Sequence, residues 1–150
     1  MAMMFWDASA IIPLCVTEKY SNTIKQLLKK DPIMAVWWGT PLECYSAFAR
    51  LRRDGIINIQ EEQKARKPLD QLTEIWTEIN PSYDIRDQAF RLISIHPLKA
   101  ADSLQLAAAI IWAGKNPKEY HFVCLDKKLR DAAQKEGFII APFEIKHPWL

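Results

Sequence analysis

The chain has 150 residues, of which 49% are hydrophobic and 25% are charged, and its formal net charge is +2 at pH 7. These values predict one soluble globular domain that spans residues 1–150 and is large enough to bury a core. The apolar runs are all shorter than the roughly 20 residues of a membrane span, and a charge of +2 permits nucleic-acid binding without arguing for it.

Hydrophobic periodicity and turn residues divide the chain into alternating strands and helices. In chain order we predict a strand at 3–6, helices at 9–15 and 18–30, a strand at 33–38, helices at 40–55 and 60–74, a strand at 75–79, helices at 82–95 and 98–113, a strand at 121–125, a helix at 127–136 and a strand at 138–141. The helix at 40–55 has Thr40 as its expected N-cap and Gly55 as its stop, and Pro68 is expected to perturb the helix that contains it. Because the strands are short and apolar, we predict an α/β protein with a parallel sheet covered by helices on both faces.

Four acidic side chains fall where such a sheet would bring them to one edge. Asp7 and Asp126 directly follow the first and fourth predicted strands, and Glu43 lies in the first turn of the helix after the second. Asp102 lies in the first turn of its own helix. Structural roles are the alternative: Asp7 and Asp126 fit helix caps. Glu43 fits a capping box with Thr40, and Asp102 fits the positive end of a helix dipole.

The set of four carboxylates is harder to explain by capping than each one alone. At about 4 Å and an effective dielectric constant of about 20, two carboxylates repel each other by about 4 kcal/mol. A fold that brings them together must therefore protonate some of them or hold a cation. Oxygen ligands without His or Cys favour Mg²⁺ or Mn²⁺. Such a site suits hydrolysis of phosphodiesters, because the metal activates water and neutralises charge on the phosphate.

The other residues that commonly bind metals or form disulfides do not indicate a second site. Cys15, Cys44 and Cys124 form no CxxC pair and are expected to be buried. The three histidines are far apart in the sequence and form no HxxxH or HxH pair. The segment before Asp7 has no basic region and is unlike a signal peptide, so we expect a cytoplasmic protein.

Four stretches in order each hold one of the acids: FWDASAII, TPLECYSAFARLRRDG, LKAADSLQLAAA and FVCLDKKLRDAAQKEGF. Together, and at this spacing, they resemble the motifs of PIN-domain ribonucleases, most closely those of the VapC-type toxins of prokaryotic toxin–antitoxin pairs. The resemblance extends from Met4 to about Ile140. It implies a three-layer α/β/α sandwich with a central parallel sheet, and an endoribonuclease that depends on Mg²⁺ or Mn²⁺.

The same resemblance implies roles for individual residues and for partners. Asp7, Glu43 and Asp102 would hold the metal and its water in an acidic pocket. Asp126 would act at the periphery of that pocket, and Ser9 would help to hold the pocket or the RNA. A small polar residue at a helix start explains Ser9 equally well. The family's toxins usually form homodimers, and a small antitoxin protein wraps them and inserts a basic residue into the pocket.

Basic residues follow two of the acids on their predicted helices. They are Arg50, Arg52, Arg53, Lys127, Lys128 and Arg130. As phosphate contacts they would give a salt-dependent affinity for RNA. The alternative is a solvated basic helix end, which suits Arg52 and Arg53 near a helix C-terminus.

The tryptophans are expected to have two kinds of role. Four are expected in the core: Trp6, Trp37, Trp38 and Trp112. Trp76 and Trp149 fit either the core or a surface for a dimer partner or an antitoxin, since aromatic side chains are enriched at interfaces.

Three functions remain open from the sequence. The leading one is a metal-dependent endoribonuclease that acts as a toxin under the control of an antitoxin. A solitary RNA-processing nuclease without an antitoxin is the second. A binding module with the fold but no chemistry is the third, and it would need one of the four acids to be missing, whereas all four positions are filled.

Overall fold

The computed structural model describes residues 4–145, which form five strands and seven helices. In chain order these are β1 (Phe5–Trp6), α1 (Ala8–Cys15), α2 (Ser21–Lys30), β2 (Ala35–Trp37), α3 (Thr40–Arg53), α4 (Ile59–Thr73), β3 (Thr77–Ile79), α5 (Tyr83–Ile95), α6 (Ala100–Trp112), β4 (His121–Val123), α7 (Lys127–Lys135) and β5 (Ile139–Ala141). The predicted order and type of elements are confirmed, although the strands are shorter than predicted. Trp149 lies outside the described residues.

The strands form one parallel sheet in the order β3-β2-β1-β4-β5. From β1 the chain moves outward to β2 and β3, and then crosses back to place β4 on the other side of β1. Ligand sites of such sheets form beyond the carboxyl ends of the strands at this change of direction. The fold therefore favours a site beside β1 and β4.

Helices cover both faces of the sheet, which confirms the predicted three-layer α/β/α sandwich. Buried side chains of α5, α6 and α7 pack against Phe5 and Phe122 on one face. Buried side chains of α1, α2, α3 and α4 pack against Trp6 and Val36 on the other. Phe5 and Trp6 serve opposite faces because successive side chains of a strand alternate in direction.

The beginning of α3 differs from the prediction. Gly39, and not Thr40, is the N-cap, and no side chain caps this helix. The predicted capping box between Thr40 and Glu43 is therefore wrong. Both side chains instead accept hydrogen bonds from the amide of Gln105. The predicted stop is confirmed, since Gly55 follows the helix with a φ of 75° that favours glycine.

A capping box occurs one helix later, where it was not predicted. Asn58 and Glu61 cap each other's backbone N–H groups at the start of α4. This helix is continuous through Pro68, so the expected perturbation does not end it. The helix predicted at 18–30 starts only at Ser21, whose hydroxyl donates to the carbonyl of Pro13 at 2.8 Å.

The predictions for aromatic and cysteine side chains are mostly confirmed. Trp6 and Trp37 are buried, and Trp112 packs partly buried against Phe5. Trp38 is 56% exposed, so its expected core position is wrong: it follows the end of β2, where side chains on its face are no longer covered.

Burial also decides the role of Trp76, which lies in the core and donates from Nε1 to Glu78 Oε2 at 3.0 Å. Cys44 and Cys124 are buried and Cys15 is half-buried. Burial raises the pKa of the Cys15 thiol to about 12.

Among the described residues, no helix combines the length and the apolar character that crossing a membrane requires.

Candidate active site

A cavity of about 480 Å³ opens at the carboxyl edge of the sheet, and we call it the acidic cavity. Its wall contains all four predicted acids: Asp7, Glu43, Asp102 and Asp126. Asp7 follows β1, and its N–H donates to the carbonyl of Val123 at the end of β4. The other three acids lie in the first turns of α3 and α6 and at the N-cap of α7. The parallel sheet thus brings together carboxylates from four separate parts of the chain.

Asp7 is both a helix cap and a buried member of the acidic cavity. Its Oδ2 accepts hydrogen bonds from Ser9 N at 3.1 Å, from Ser9 Oγ and from Cys124 Sγ at 3.3 Å. Burial nevertheless raises the pKa of Asp7 to about 6, and the charge of Asp102 acts in the same direction. Helix capping explains the hydrogen bond from Ser9 N. A cap, however, does not require its carboxylate to be buried.

Ser9 connects Asp7 with the segment that follows β4. Its Oγ donates to Asp7 Oδ2 and accepts from the backbone N–H of Leu125 at 2.9 Å. The hydroxyl is also 3.6 Å from Cys124 Sγ. Ser9 therefore holds Asp7 in place, and it also lines the acidic cavity.

Glu43 is held by a side chain that the sequence did not single out. Its Oε2 accepts from Gln105 Nε2 at 2.8 Å, and the same nitrogen donates to Thr40 Oγ1 at 3.0 Å. Burial, together with the charges of Asp7 and Asp102, raises the pKa of Glu43 to about 7 despite the bond from Gln105. The local signal for Gln105 was a polar residue inside an apolar run, one helical turn after Asp102.

Asp102 and Asp126 form the outer part of the acidic cavity. Burial raises the pKa of Asp102, the charge of Asp126 raises it further, and Lys99 lowers it. Asp126 is exposed and caps α7, accepting from Leu129 N at 3.2 Å. The predicted capping role of Asp126 is therefore confirmed, and it coexists with a place in the cavity wall.

Only one of the predicted basic residues reaches this cavity. Arg50 lies in its wall, together with Lys99, which the sequence did not indicate. The structure does not bring Arg53, Lys127 or Arg130 into the wall.

Hydrogen bonds of its guanidinium hold Arg130 outside the wall of the acidic cavity. It donates to the carbonyls of Cys124 and Pro142 at 2.8 Å each, and so joins the segments after β4 and β5. Lys127 lies 3.4 Å from Asp131, and Arg52 lies 3.0 Å from Glu62. Each of these three basic groups thus bonds to oxygen atoms of the chain itself.

The donor set can be tested against a divalent cation. Among residues 4–145, no three His, Cys, Asp or Glu side chains are arranged so that they could hold a metal ion together. This excludes a closed, all-protein cage from the described part of the chain. Mg²⁺, however, usually keeps several waters and binds through one or two carboxylates. The raised pKa values of Asp7, Glu43 and Asp102 also reflect repulsion that a cation would relieve. The residues therefore fit a hydrated Mg²⁺ or Mn²⁺.

Comparison with known proteins identifies the fold. No protein-family model and no curated protein matches the chain. A toxin–antitoxin complex from Klebsiella pneumoniae has 21% identity over 83% of this chain and 88% of its own, with a TM-score of 0.57. VapC20 of Mycobacterium tuberculosis, a sarcin-ricin loop cleaving toxin, has 15% identity over 91% and 96%, with a TM-score of 0.65. FitAcB from Neisseria gonorrhoeae has 14% identity over 95% and 100%, with a TM-score of 0.67. The chain has the PIN-like α/β/α fold of these structures.

Proposed function

We propose that this chain is an endoribonuclease that depends on Mg²⁺ or Mn²⁺ and hydrolyses RNA phosphodiester bonds. The observation that carries the proposal is the acidic cavity, in which four carboxylates lie at the change of direction of a parallel sheet. VapC20, which shares the fold, is described as a toxin that cleaves the sarcin-ricin loop. Either kind of nuclease would use all four carboxylates, whereas a binding module would not need them.

The chain's own residues have distinct parts in this proposal. Asp7, Glu43 and Asp102 would hold a hydrated cation, one or two of them by direct contact and the rest through its waters, with Asp126 at the periphery. When bound, the cation supplies Lewis-acid stabilisation of charge on the scissile phosphate and activates water. Without metal the pKa of Glu43 is about 7, so a cation would compete with a proton for this carboxylate near neutral pH.

Positively charged and polar groups complete the site. Ser9 and Cys124 hold the Asp7 carboxylate, and Gln105 holds that of Glu43. Arg50 and Lys99 offer positive charge at the wall of the cavity, where they would bind phosphates of the RNA. A site with fixed carboxylates and nearby cations is arranged for phosphate chemistry.

The test of the proposal is RNA cleavage by the purified chain with each metal. We expect cleavage with Mn²⁺ or Mg²⁺, none in EDTA, and full recovery when excess metal is restored, because ionised carboxylates alone do not bind a phosphate. Cleavage that is undiminished in EDTA would contradict the metal dependence. Absence of cleavage, together with absence of Mn²⁺ binding in a calorimetric titration, would favour the binding module.

We further propose that the nuclease is a toxin restrained by a small antitoxin protein. A mostly apolar cavity of about 660 Å³ between α1 and α4 shares Ser9 and Ile12 with the acidic cavity, and exposed apolar surface of this kind is typical of contacts with a partner. A basic side chain of a partner that lies there would find the acidic cavity within reach. Expression of the chain alone should slow growth, and co-expression of a small neighbouring gene should relieve it. Normal growth without a partner would favour a solitary RNA-processing nuclease.

A homodimer is proposed from exposed apolar side chains near the ends of β2 and β3. Trp38, Leu42 and Tyr83 are 56%, 76% and 76% exposed, and they follow the carboxyl ends of β2 and β3 closely in the chain. Exposed aromatic and aliphatic side chains of this kind are typical of interfaces. Light scattering should give twice the mass of one chain, and Trp38→Ser should shift the protein towards the monomer.

Gln105 offers a test of how Glu43 is positioned. Gln105→Met keeps the volume of the side chain but removes the hydrogen bond that lowers the pKa of Glu43. A hydrogen bond to a charged group contributes about 1.5–3 kcal/mol, so we expect cleavage to fall by about 10-fold to 100-fold. The pH of half-maximal cleavage should rise by about one unit.

The matched control for this prediction is Ser103→Ala on the same helix. Ser103 is equally buried, and its hydroxyl donates only to the carbonyl of Ala100 within α6. A shift of the pH profile in both variants, or in neither, would contradict a specific role of Gln105.

A further inference from the structure

A second cavity, of about 460 Å³, adjoins the acidic cavity. It lies between the segment that leads into α6 and the first turn of α7. The two cavities share Lys99, Asp102 and Asp126 in their walls. A molecule bound in the acidic cavity can therefore continue into this neighbouring cavity.

The wall of the second cavity combines two cations with an apolar surface. Lys99 and Lys128 are exposed, and within residues 4–145 neither ammonium group forms a salt bridge. Ile93, Pro97 and Leu98 provide the apolar part. The charges of the two lysines balance those of the two shared aspartates. A cation bound in the acidic cavity would therefore make the net charge around this wall positive.

The segment that carries Lys99 is held in place by partly buried contacts to Glu136. His96 Nε2 lies 2.7 Å from Glu136 Oε2, and Arg91 Nη2 lies 2.6 Å from Glu136 Oε1. Burial raises the pKa of Glu136, but the bonds from Arg91 and His96 outweigh it and hold the pKa below its usual value. These contacts join the end of α5 to the end of α7. The two walls of the cavity are therefore fixed relative to each other.

We propose that this second cavity is a substrate subsite that binds the nucleotide next to the scissile phosphate. Lys99 and Lys128 bind the phosphate of that nucleotide, and the apolar surface of Pro97 and Leu98 packs against its ribose and base. A phosphate beside a base complements this wall, because the two ammonium groups attract the phosphate and the apolar side chains can pack against the face of the base. The inference rests on the proposed RNA cleavage, which it extends by naming the residues that position the strand.

The test compares two lysines of α7 in a protein that binds RNA without cleaving it. Asp7→Asn provides that background, with Mg²⁺ present and a fluorescent single-stranded RNA as the probe. Lys128→Gln removes a cavity cation, whereas Lys135→Gln makes the same change of charge two turns later, outside the cavity. We expect Lys128→Gln to weaken binding about tenfold, the effect of one lost charged hydrogen bond. The dependence of log affinity on log salt should fall by about 0.7.

Lys135→Gln should change the affinity and the salt dependence little, and Lys99→Gln should weaken binding at least as much as Lys128→Gln. Thermal melting of each variant establishes that it folds. Equal effects of Lys128→Gln and Lys135→Gln overturn the subsite. If the wild-type chain still cleaves RNA in that case, the proposed function stands without the subsite. If the background protein binds no RNA and the wild-type chain cleaves none, both proposals fail.

Discussion

Asp7→Asn is expected to reduce RNA cleavage at least about 100-fold and to leave the fold intact. Removal of one group that stabilises charge in an active site typically costs that much. Asp7 is the most buried of the four acids, and both Asp102 and Glu43 interact with its charge. Loss of its negative charge would therefore weaken the proposed cation site. The measurement is the rate of cleavage with saturating Mn²⁺.

The fold should survive this substitution because an asparagine keeps the cap. Its Oδ1 can still accept the hydrogen bonds of Ser9 N and Ser9 Oγ. Burial raises the pKa of Asp7 to about 6, so the ionised carboxylate destabilises the metal-free fold above that pH by about 3 kcal/mol. The variant should therefore be as stable as the wild-type chain, or more stable, in chemical denaturation without metal.

Asp31→Asn is the matched control for Asp7→Asn. Asp31 is equally buried, but its Oδ2 accepts from Met4 N and Trp6 Nε1 at the other end of β1. This variant should keep its rate of cleavage, because Asp31 does not line the acidic cavity. Asp102→Asn, by contrast, should lose cleavage as Asp7→Asn does. Undiminished cleavage in both site variants would contradict the assigned site.

The sequence predicted those features that depend on local pattern and on the direction of parallel strands. Apolar runs and turn residues located all five strands. The position of Asp7 and Asp126 after strands then placed them at one edge, since all carboxyl ends of a parallel sheet meet there. The capping contacts of these two residues were also predictable, because a cap bonds to residues only two or three positions away.

Features that depend on contacts between distant parts of the chain were not predicted. Gln105 binds Glu43 across 62 positions, and no local pattern specifies that pairing. The expected capping box at Thr40 is absent because Gly39 is the N-cap of α3, and the side-chain oxygens of Thr40 and Glu43 instead accept from Gln105. Lys99, by contrast, is the N-cap of α6, three positions before Asp102, so its place beside that carboxylate could have been predicted from the local pattern.

The raised pKa values of Asp7 and Glu43 predict an unusual dependence of stability on pH. An acid whose pKa is higher in the folded chain binds more protons there than in the unfolded chain, so the free energy of unfolding falls as the pH rises. The window runs from about 4, the ordinary value, to about 7, the value of Glu43. Without metal, we expect a loss of about 2 to 4 kcal/mol between pH 5 and pH 8, after allowance for the partial exposure of Glu43. The double variant Asp7→Asn/Glu43→Gln should lose much less.

Addition of Mg²⁺ or Mn²⁺ should reverse that loss, because a cation binds the ionised carboxylates only where the fold brings them together. At a concentration one hundred times the dissociation constant, the gain in free energy of unfolding is about 2.7 kcal/mol. The gain should be large at pH 8 and small at pH 5, where protons compete for Asp7 and Glu43. Denaturation curves at both pH values, with metal and with EDTA, measure it. A gain of the same size in the double variant would show that the ion acts elsewhere and not by binding in the acidic cavity.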